Sequence, residues 1–421
     1  MILLVQPEYP PSVGGMQTHA VALANGLYKR GHSIAVVTYR EAKDAMAAAE
    51  YDSAQPYPTY RILSRLSYWA NLRLLHRLTV KLNSSIVYGS TPFYGLLAAL
   101  DGIPVVCRSV GNDIMRCWVP YPFRLGSNLL AYPLLEQKIY ALYRRLGKPN
   151  CFEDVLFSAR RELVRRAACA ASAVIANSDF TRDRLLEVGV SPAAVNVVSG
   201  GVDTARFAVN RRPELRERLS LGRKGPVLLT VCRLVEKKGV DLLLKAVAII
   251  KGQIPTVALV IVGDGPEKEK CERLAVLLGL GDTVRFIGRV PHGQIVEYYH
   301  AADCFVLASR SHRRNNGWAD VETMGRVLCE ANAAGIPVVA ADTGGTRSII
   351  RNGENGILVP ADDAEALAAA VLRLWNEPEL RVWLRDSGLK RARAEFDWDV
   401  IVGEFERIIG EAAGDGVGGS F

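Results

Sequence analysis

The sequence predicts an α/β protein made of two doubly wound parallel-sheet domains. Short apolar runs with the character of buried strands alternate with helical segments along most of the chain. A length of 421 residues exceeds what one ordinary core holds and suits two domains of about 200 residues each. The apolar content of 49% and charged content of 23% are typical of a soluble globular protein.

The first domain is expected to open as strand, loop, helix and strand, which is how a doubly wound sheet begins. The strands are residues 2–6 and 33–38, and the helix between them covers 16–30. Residues 41–60 have a weak pattern and predict an exposed excursion. Further strands of this domain are predicted at 85–88, 104–108, 173–176 and 195–198.

The second half repeats the alternation more regularly. A charged stretch without a strand pattern, 206–225, predicts the domain connection, so the domains are 1–205 and 206–395, and the tail 414–421 is predicted to be disordered. The predicted strands are 227–234, 257–262, 284–287, 304–308, 337–341 and 356–359, and the last two helices are about 362–376 and 399–411.

Cysteine usage and the N-terminus predict a cytoplasmic protein. The eight cysteines form no C-x-x-C pair and no zinc-like spacing, which favours buried free thiols in a reducing compartment. Residues 2–5 form only a short apolar run without a basic region before it, so no signal peptide is expected. No apolar segment reaches the roughly 20 residues of a membrane span.

Positive charge is concentrated in the first domain. Residues 1–205 contain 22 Lys/Arg and 15 Asp/Glu and carry nearly all of the net charge of +8. Such a basic half suits an anionic membrane surface, an acidic substrate or nucleic acid, but no nucleic-acid recognition motif is present. Residues 61–82 hold five Lys/Arg and no acid, which predicts a basic amphipathic helix on a membrane; in the alternative, its apolar face is core and its basic face is solvated.

The stretch 320–341 predicts an anion-binding helix N-terminus. Gly325 lies where a loop opens into a helix of about ten residues, and the amides of 324–327 point outward as donors suited to phosphate. Glu322 precedes the helix and Glu330 lies on its second turn, so the two carboxylates are placed to bind hydroxyl groups on either side of a diphosphate. The alternative is an ordinary helix start with two solvated glutamates.

Other candidate groups follow predicted strands, where open α/β sheets bind ligands. Gly14–Gly15 after the first strand and Gly344 after the strand 337–341 allow backbone to approach a phosphate or sugar. Arg233 and Lys238 bring cations that suit a diphosphate, although a solvated basic turn has the same spacing. Asp264 either orders its turn or contacts a ligand.

In this combination the chain resembles the retaining nucleotide-sugar glycosyltransferases of family four, also called glycosyl transferases group 1. These enzymes have two Rossmann-like domains facing across a cleft, the GT-B architecture. The resemblance spans nearly the whole chain in order. It rests on Gly14–Gly15, Asn177–Ser178, 201–203, RLVEKKG at 233–239, GDGP at 263–266, the Glu322/Glu330 pair, AGIPVVA at 334–340 and TGG at 343–345.

The resemblance implies a role for each matching residue. Arg233 and Lys238 would neutralise the donor diphosphate, while the amides of Met324, Gly325, Arg326 and Val327 would bind its distal phosphate. Glu330 would hold the ribose and Glu322 the donor sugar. The loop of Gly14 and Gly15 would close over the phosphates, with Asp264 and Gly344 also in the donor site. A last helix, 396–413, would return to the first domain.

Three positions depart from the pattern of the family. Val110 stands where relatives often carry a histidine, which leaves Asp113 and Arg108 as candidates at the reacting centre. Thr323–Met324 replaces the usual Gly-Phe, and Ser348 stands where relatives often have an acid. These changes bear on the choice of sugar and acceptor more than on the class of reaction.

The reaction implied is retaining, metal-independent hexosyl transfer. The donor would be a UDP-, GDP- or ADP-sugar, and the acceptor a lipid-linked or cell-surface glycan precursor. No D-x-D motif follows a strand, which agrees with cations replacing a metal and with no cofactor. Two alternatives stay open, namely an isomerase of the same architecture that needs no acceptor, and a non-catalytic nucleotide-sugar binding protein. The expected location is the cytoplasm, peripheral to the inner face of the membrane.

Overall fold

The contacts of the chain divide it into two units. The computed structural model describes residues 1–12, 14–40, 44–64, 68–115, 161–208, 213–219, 221, 225–291, 293–313 and 319–414. Unit 1 comprises Met1–Val198 and Val402–Phe421, and unit 2 comprises Ser199–Ile401. Residues 199–205 lie in unit 2, not in the first domain as drawn from the sequence, because Val202 N–H donates to the carbonyl of Phe396 at 2.8 Å. Apart from Gly414, the tail predicted to be disordered lies outside the described residues.

Unit 1 is built on a seven-stranded parallel sheet with the order β3-β2-β1-β4-β5-β6-β7. Its central strands are apolar and buried, as a sheet covered on both faces requires. The strands are β1 (Ile2–Val5), β2 (Ile34–Tyr39), β3 (Thr59–Leu63), β4 (Ile86–Gly89), β5 (Val105–Ser109), β6 (Ala173–Ala176) and β7 (Val195–Val197).

The helices of unit 1 connect these strands. Residues 161–170 are also helical. The labelled helices are α1 (Gly15–Lys29), α2 (Ala45–Ser53), α3 (Tyr68–Leu82), α4 (Leu96–Asp101), α5 (Asn112–Met115) and α6 (Asp179–Glu187), and 3-10 turns occur at Pro92–Gly95 and Pro192–Ala194.

Unit 2 repeats the architecture with a six-stranded parallel sheet, β10-β9-β8-β11-β14-β15, and a short antiparallel ribbon, β12-β13. The strands are β8 (Val227–Val231), β9 (Ala258–Val262), β10 (Val284–Gly288), β11 (Cys304–Leu307), β12 (His312–Arg313), β13 (Ala319–Asp320), β14 (Val338–Asp342) and β15 (Ile357–Pro360). The helices up to the last strand are α7 (Thr204–Phe207), α8 (Pro213–Arg218), α9 (Val240–Gln253), α10 (Lys268–Leu277), α11 (Ile295–Ala301), α12 (Arg326–Ala333) and α13 (Thr346–Ile349).

Three α-helices follow β15, namely α14 (Ala364–Asn376), α15 (Pro378–Arg391) and α16 (Trp398–Ala413), and a π-helical segment, Ala392–Phe396, lies between the last two. From Val402 onward α16 belongs to unit 1. There the Phe405 ring lies 5.2 Å from the His19 ring and 5.8 Å from the Tyr88 ring. The end of the chain therefore contributes an apolar helix face to the packing of the first sheet.

Two doubly wound parallel sheets confirm the predicted fold class. Most of the described residues 44–60 are exposed or half-buried, as predicted, but α2 lies there and the edge strand β3 begins at Thr59, which the sequence did not predict. Four of the five residues of β3 are only half-buried, so the strand lacks the apolar run that marks a central strand. The helix α15 was also missed.

The helix α3 places three of its five leucines in the core of unit 1. Leu72, Leu75 and Leu78 belong to the apolar core, whereas Arg73, Arg77 and Lys81 are exposed. The structure therefore agrees with the alternative reading, in which the apolar face of this helix is core and its basic face is solvated. Among the described helices, none combines the length and the apolar character needed to cross a membrane.

Six free cysteines lie in the described residues, and four of them are buried, as expected. Cys169 is exposed and Cys232 is half-buried, so the expectation of buried thiols does not hold for every position.

Candidate active site

Lys238 and Glu322 meet at the carboxyl edge of the sheet of unit 2. Lys238 ends the 3-10 turn Glu236–Lys238 after β8, and Glu322 lies in the connection between β11 and α12. The ammonium Nζ of Lys238 donates to Oε2 of Glu322, and Ser309 Oγ donates to the same oxygen at 3.3 Å. Because β8 and β11 are neighbours where the strand order reverses, the pair lies at the ligand-binding edge of this type of sheet.

Each charge of this pair stabilises the other. Burial alone raises the pKa of the Glu322 carboxyl, but the Lys238 ammonium, together with Lys237 and the Ser309 hydroxyl, outweighs burial, and the net direction is downward. Burial alone lowers the pKa of Lys238, and the Glu322 carboxylate reverses this, so the net direction is upward. Both groups are therefore charged at neutral pH. The side chains are only 15% and 12% exposed, which contradicts the reading of Glu322 as a solvated glutamate.

The start of α12 has the geometry that the sequence predicts for an anion site. Gly325 precedes the helix with φ of 87°, a left-handed conformation that favours glycine, and Leu328 N–H donates back to its carbonyl at 2.8 Å. The first N–H groups of an α-helix have no acceptor within the helix, which applies here to Arg326 and Val327. The Met324 side chain is buried, and its sulfur accepts a hydrogen bond from Gly200 N–H at 3.0 Å.

Glu330 is buried on the same helix, with 3% of its surface exposed. The Tyr299 hydroxyl donates to its Oε2 at 2.8 Å, and Arg326 Nε lies 3.5 Å from its Oε1. Tyr299 is itself held between two rings, Phe207 at 5.4 Å and Phe305 at 5.6 Å. The structure therefore positions the Glu330 carboxylate through a packed aromatic neighbour.

The turn after β14 lies against Glu322. Gly344 has φ of 54°, and a Cβ there would lie 2.1 Å from the carbonyl oxygen of Glu322, so only glycine fits. Gly345 N–H donates to that same carbonyl at 2.8 Å. The buried Thr343 hydroxyl, in the same turn, has no hydrogen-bond partner in the described part of the chain. This turn therefore orients Glu322 through its backbone and adds a hydroxyl at the strand end.

Arg233 and Asp264 lie on the neighbouring strand ends. Arg233 is exposed after β8. The Asp264 carbonyl accepts from Leu234 N–H at 3.0 Å, and its exposed carboxylate accepts from Gly265 N–H at 2.9 Å. The Asp264 side chain thus orders its own turn, which was one of the two readings of its sequence.

The remaining predicted residues lie in unit 1. Gly14 has an extended backbone that any residue adopts, and a Cβ there would meet only the end of the Gln17 side chain, while Gly15 begins α1. Asp113 is 7% exposed and lies at the carboxyl edge of the first sheet. Its carboxylate accepts from Ser109 Oγ at 2.7 Å and from Val110 N–H at 3.1 Å.

The pKa of Asp113 is raised, because burial outweighs the hydrogen bonds and the Arg108 charge that lower it. The hydrogen bonds from Ser109 and Val110 to the Asp113 carboxylate close the loop after β5.

Sequence reasoning missed Ser309, Tyr299 and Thr343. Ser309 directly follows the Cys304–Ala308 run that the sequence marked as a strand, and Thr343 stands beside the glycines of the recognised turn, so position alone could have found both. Tyr299 lies in α11 at an apolar position, and no local pattern indicates that its hydroxyl reaches Glu330.

Two family models match the chain. The model described as Glycosyltransferase Family 4 matches residues 13–206, and the model described as Glycosyl transferases group 1 matches residues 211–391. Solved structures of low sequence identity share the fold. The Anabaena Alr3699/HepE structure in complex with UDP has a TM-score of 0.73 at 19% identity, covering 97% of this chain and 99% of that one. Sucrose-phosphate synthase of Thermosynechococcus elongatus has a TM-score of 0.72 at 21% identity, covering 98% and 99%.

Curated relatives extend over nearly the full length. The GDP-mannose-dependent alpha-(1-6)-phosphatidylinositol monomannoside mannosyltransferase of Mycolicibacterium smegmatis is 30% identical over 94% of this chain and 95% of the relative. The protein of that name from Mycobacterium tuberculosis is 33% identical over 95% of each chain. A D-inositol 3-phosphate glycosyltransferase of Acidothermus cellulolyticus is 35% identical over 68% of this chain and 63% of the relative.

The two parallel sheets have the GT-B architecture, and the family models and curated relatives identify the chain as a nucleotide-sugar glycosyltransferase. The chain belongs to glycosyltransferase family 4, glycosyl transferases group 1.

Proposed function

We propose that this enzyme is a retaining, metal-independent hexosyltransferase that moves a sugar from a nucleoside diphosphate to a lipid-linked acceptor. The observation that carries the proposal is the partly buried Lys238–Glu322 pair beside the first turn of α12. A buried ion pair of this kind costs desolvation energy and adds little stability. Its presence at a ligand edge therefore favours a role in binding a charged ligand.

The cations of unit 2 would stabilise the leaving diphosphate. Lys238, Arg233 and the first-turn amides of α12 place positive charge where negative charge grows as the sugar leaves. This arrangement supplies the neutralisation that a divalent metal gives in other transferases, so activity should survive EDTA. Retention of configuration rests on membership of the family.

The carboxylates would hold hydroxyl groups of the donor. Glu322, oriented by Ser309 and Lys238, would accept from the transferred sugar, and Glu330, oriented by Tyr299, would accept from the ribose. Gly344 would hold the loop of Glu322 in place, and for Gly14, Gly15 and Asp113 we keep the roles that the family resemblance implies.

GDP-mannose is the first donor to test, and a phosphatidylinositol mannoside the first acceptor, because the two mycobacterial relatives act on that pair by name. The choice of guanine base and of mannose follows from these relatives alone. The UDP complex of the Anabaena protein makes UDP-sugars the second donor set.

The experiment combines radiolabelled GDP-mannose with phosphatidylinositol monomannoside in detergent micelles, with and without EDTA. Transfer to the lipid, resistance to EDTA and an α-linked product by NMR are expected. Loss of transfer in EDTA would reject metal independence, and a β-linked product would reject retention. Turnover of the donor without any acceptor would favour the isomerase and reject transfer.

A peripheral position on the cytoplasmic face of the membrane is the second part of the proposal. Arg73, Arg77 and Lys81 form an exposed basic strip along α3, and Leu72, Leu75 and Leu78 of that helix are already in the core. Arg61 does not add to the strip, because it is paired with Asp52 at 2.7 Å. Contact with anionic lipid would therefore be electrostatic, without insertion of the helix.

A further inference from the structure

A cavity of about 280 Å³ lies at the amino edge of the sheet of unit 2. Part of its wall comes from residues that stand just before three neighbouring strands, namely Gly225 before β8, Asp303 before β11 and Pro337 before β14. Parallel strands all begin at one edge of their sheet and end at the other. The cavity therefore lies at the edge opposite to the one that carries the Lys238–Glu322 pair.

Positive charge dominates the lining of this cavity. Among the described residues, three arginines line it: Arg216 comes from α8, and Arg381 and Arg385 lie one turn apart on α15. Asp303 is the one acid among the described lining residues, and glycines, a proline and apolar residues form the rest. The lining therefore carries more positive than negative charge.

A carboxylate holds two of the three guanidinium groups. Arg216 Nη2 donates to Asp303 Oδ1 at 2.7 Å, and its Nε donates to the carbonyl of Ala301 at 2.7 Å. Arg385 Nε donates to Asp386 Oδ1 at 2.8 Å. These bonds fix each guanidinium group and use only part of its five N–H donors. Within the described part of the chain, Nη1 of Arg216 and both Nη atoms of Arg385 have no acceptor.

Arg381 has no carboxylate partner in the ranges that the structure describes. Its Nη1 donates to the carbonyls of Leu374 and Trp375 at 3.2 and 3.3 Å, and its guanidinium carbon lies 5.4 Å from the centre of the Trp375 ring. These contacts close the C-terminus of α14, where a cation is favourable. They leave Nε and Nη2 of Arg381 without an acceptor among the described residues, so Arg381 brings an uncompensated charge to the cavity.

The chemistry of the three arginines selects an anion with several oxygens. Guanidinium groups bind carboxylate and phosphoryl oxygens through paired N–H donors. A carboxylate offers two oxygens, whereas a terminal phosphoryl group offers three and carries nearly two negative charges at neutral pH. Three guanidinium groups with open donors therefore suit a phosphoryl group better than a carboxylate. The apolar part of the lining leaves space for a small organic group attached to it.

We propose that Arg216, Arg381 and Arg385 form a binding site for the phosphoryl group of a small phosphorylated ligand at the amino edge of unit 2. Asp303 holds Arg216 in place, and the end of α14 holds Arg381. The site lies apart from the donor site proposed at the carboxyl edge, and it does not depend on the proposed function.

The test measures the binding of inorganic phosphate to the full chain by ³¹P NMR titration at low ionic strength. Arg381→Ala and Arg385→Ala each remove one cation from the cavity. Arg373→Ala is the matched control, because Arg373 is an arginine of α14 that pairs with Glu377 and is not among the lining residues. Each change is made in the wild type and in Lys238→Ala, because the proposed donor site also offers cations to phosphate.

We expect the wild type to bind phosphate and the Kd to rise about fivefold in Arg381→Ala and in Arg385→Ala. The Kd should stay unchanged in Arg373→Ala, and the same pattern should hold in the Lys238→Ala background. Acetate at the concentration of the phosphate should displace little of it. Urea unfolding checks that each variant is folded. If Arg381→Ala does not fold because α14 loses its contacts, Arg385→Ala decides alone.

Three results would overturn the site. They are no binding of phosphate by the wild type, an equal Kd in Arg385→Ala and Arg373→Ala, and binding that is lost in Lys238→Ala alone, which would place the phosphate at the carboxyl edge. Displacement by acetate as effective as by added sulfate would overturn the assignment to a phosphoryl group.

Discussion

Lys238 carries a charge that its surroundings would not favour without a partner. Burial opposes its ionisation, the Glu322 carboxylate restores it, and Ser309 completes the group. A bound diphosphate would offer Lys238 a second anion in the same place. Catalysis should therefore depend on the Lys238 ammonium more than on any other cation of the turn.

Lys238→Ala should lower kcat by about 10²–10³-fold, because one preorganised positive group is removed from the developing charge. The control is Lys237→Ala, which removes the neighbouring positive charge from the same turn and should leave kcat within a few-fold. Steady-state kinetics of both variants check this, with urea unfolding to show that each is folded. Equal losses in the two variants would contradict the special role of Lys238.

Tyr299 holds Glu330 through one hydrogen bond while its ring packs between Phe207 and Phe305. Tyr299→Phe keeps the ring and deletes the bond, so the Kd for nucleoside diphosphate should rise about 5–10-fold, corresponding to about 1–1.5 kcal/mol. Calorimetric titration of the variant measures this. Tyr298→Phe, one position earlier, should bind as the wild type does, and an unchanged Kd in Tyr299→Phe would remove Glu330 from the binding site.

At the scale of elements, the turn after β14 acts as a spacer for the loop that carries Glu322. Gly344→Ala combines a left-handed backbone with a Cβ placed 2.1 Å from the Glu322 carbonyl. We expect a loss of about 1–3 kcal/mol of unfolding free energy together with at least a tenfold loss of kcat/KM, because Glu322 must shift.

Gly353→Ala is the matched control for this prediction. Gly353 also has a positive φ, of 79°, but a Cβ there would meet nothing within 4 Å. The Gly353→Ala variant should lose stability and keep its transferase activity. Urea unfolding shows that both variants are folded. If Gly344→Ala and Gly353→Ala then have similar kcat/KM, the Gly344 turn does not position Glu322.

The helix α3 offers a separate prediction about membranes. Replacing Arg73, Arg77 and Lys81 together by Ala should abolish flotation with anionic liposomes at low salt, since each basic residue near such a surface contributes about 1 kcal/mol. A triple change on Lys268, Lys270 and Arg273 of α10, each of which pairs with a neighbouring glutamate, should not affect flotation. Failure of the wild type to float at low salt would reject the proposed membrane contact.

At the scale of the whole molecule, alternation of apolar runs and helices was enough to predict both sheets. Parallel strands such as β8 and β9 are buried on both faces and so leave continuous apolar runs in the sequence. The edge strand β3 leaves no such run, because most of its side chains are half-buried, and it was missed.

The site was predictable only where its groups are near in sequence or follow a strand. Glu322, Gly325 and Glu330 lie within one turn and one helix, so their neighbourhood could be inferred. The contact of Tyr299 with Glu330 joins two elements 31 positions apart, and the contact of Lys238 with Glu322 joins positions 84 apart. Such pairings depend on the packing of the sheet and helices, which local pattern does not contain.

The most direct test of the account is thermal unfolding of the full chain with GDP-mannose, UDP-glucose and ADP-glucose. A ligand that binds only the folded state at about 100 times its Kd adds about 2.7 kcal/mol. For a unit of about 200 residues this corresponds to a rise in Tm of roughly 5–10 °C. We expect the Tm of the wild type to rise by this amount with one nucleotide-sugar, and the Tm of Lys238→Ala to rise less with the same ligand. The absence of any shift in the wild type with all three would contradict a donor site in unit 2.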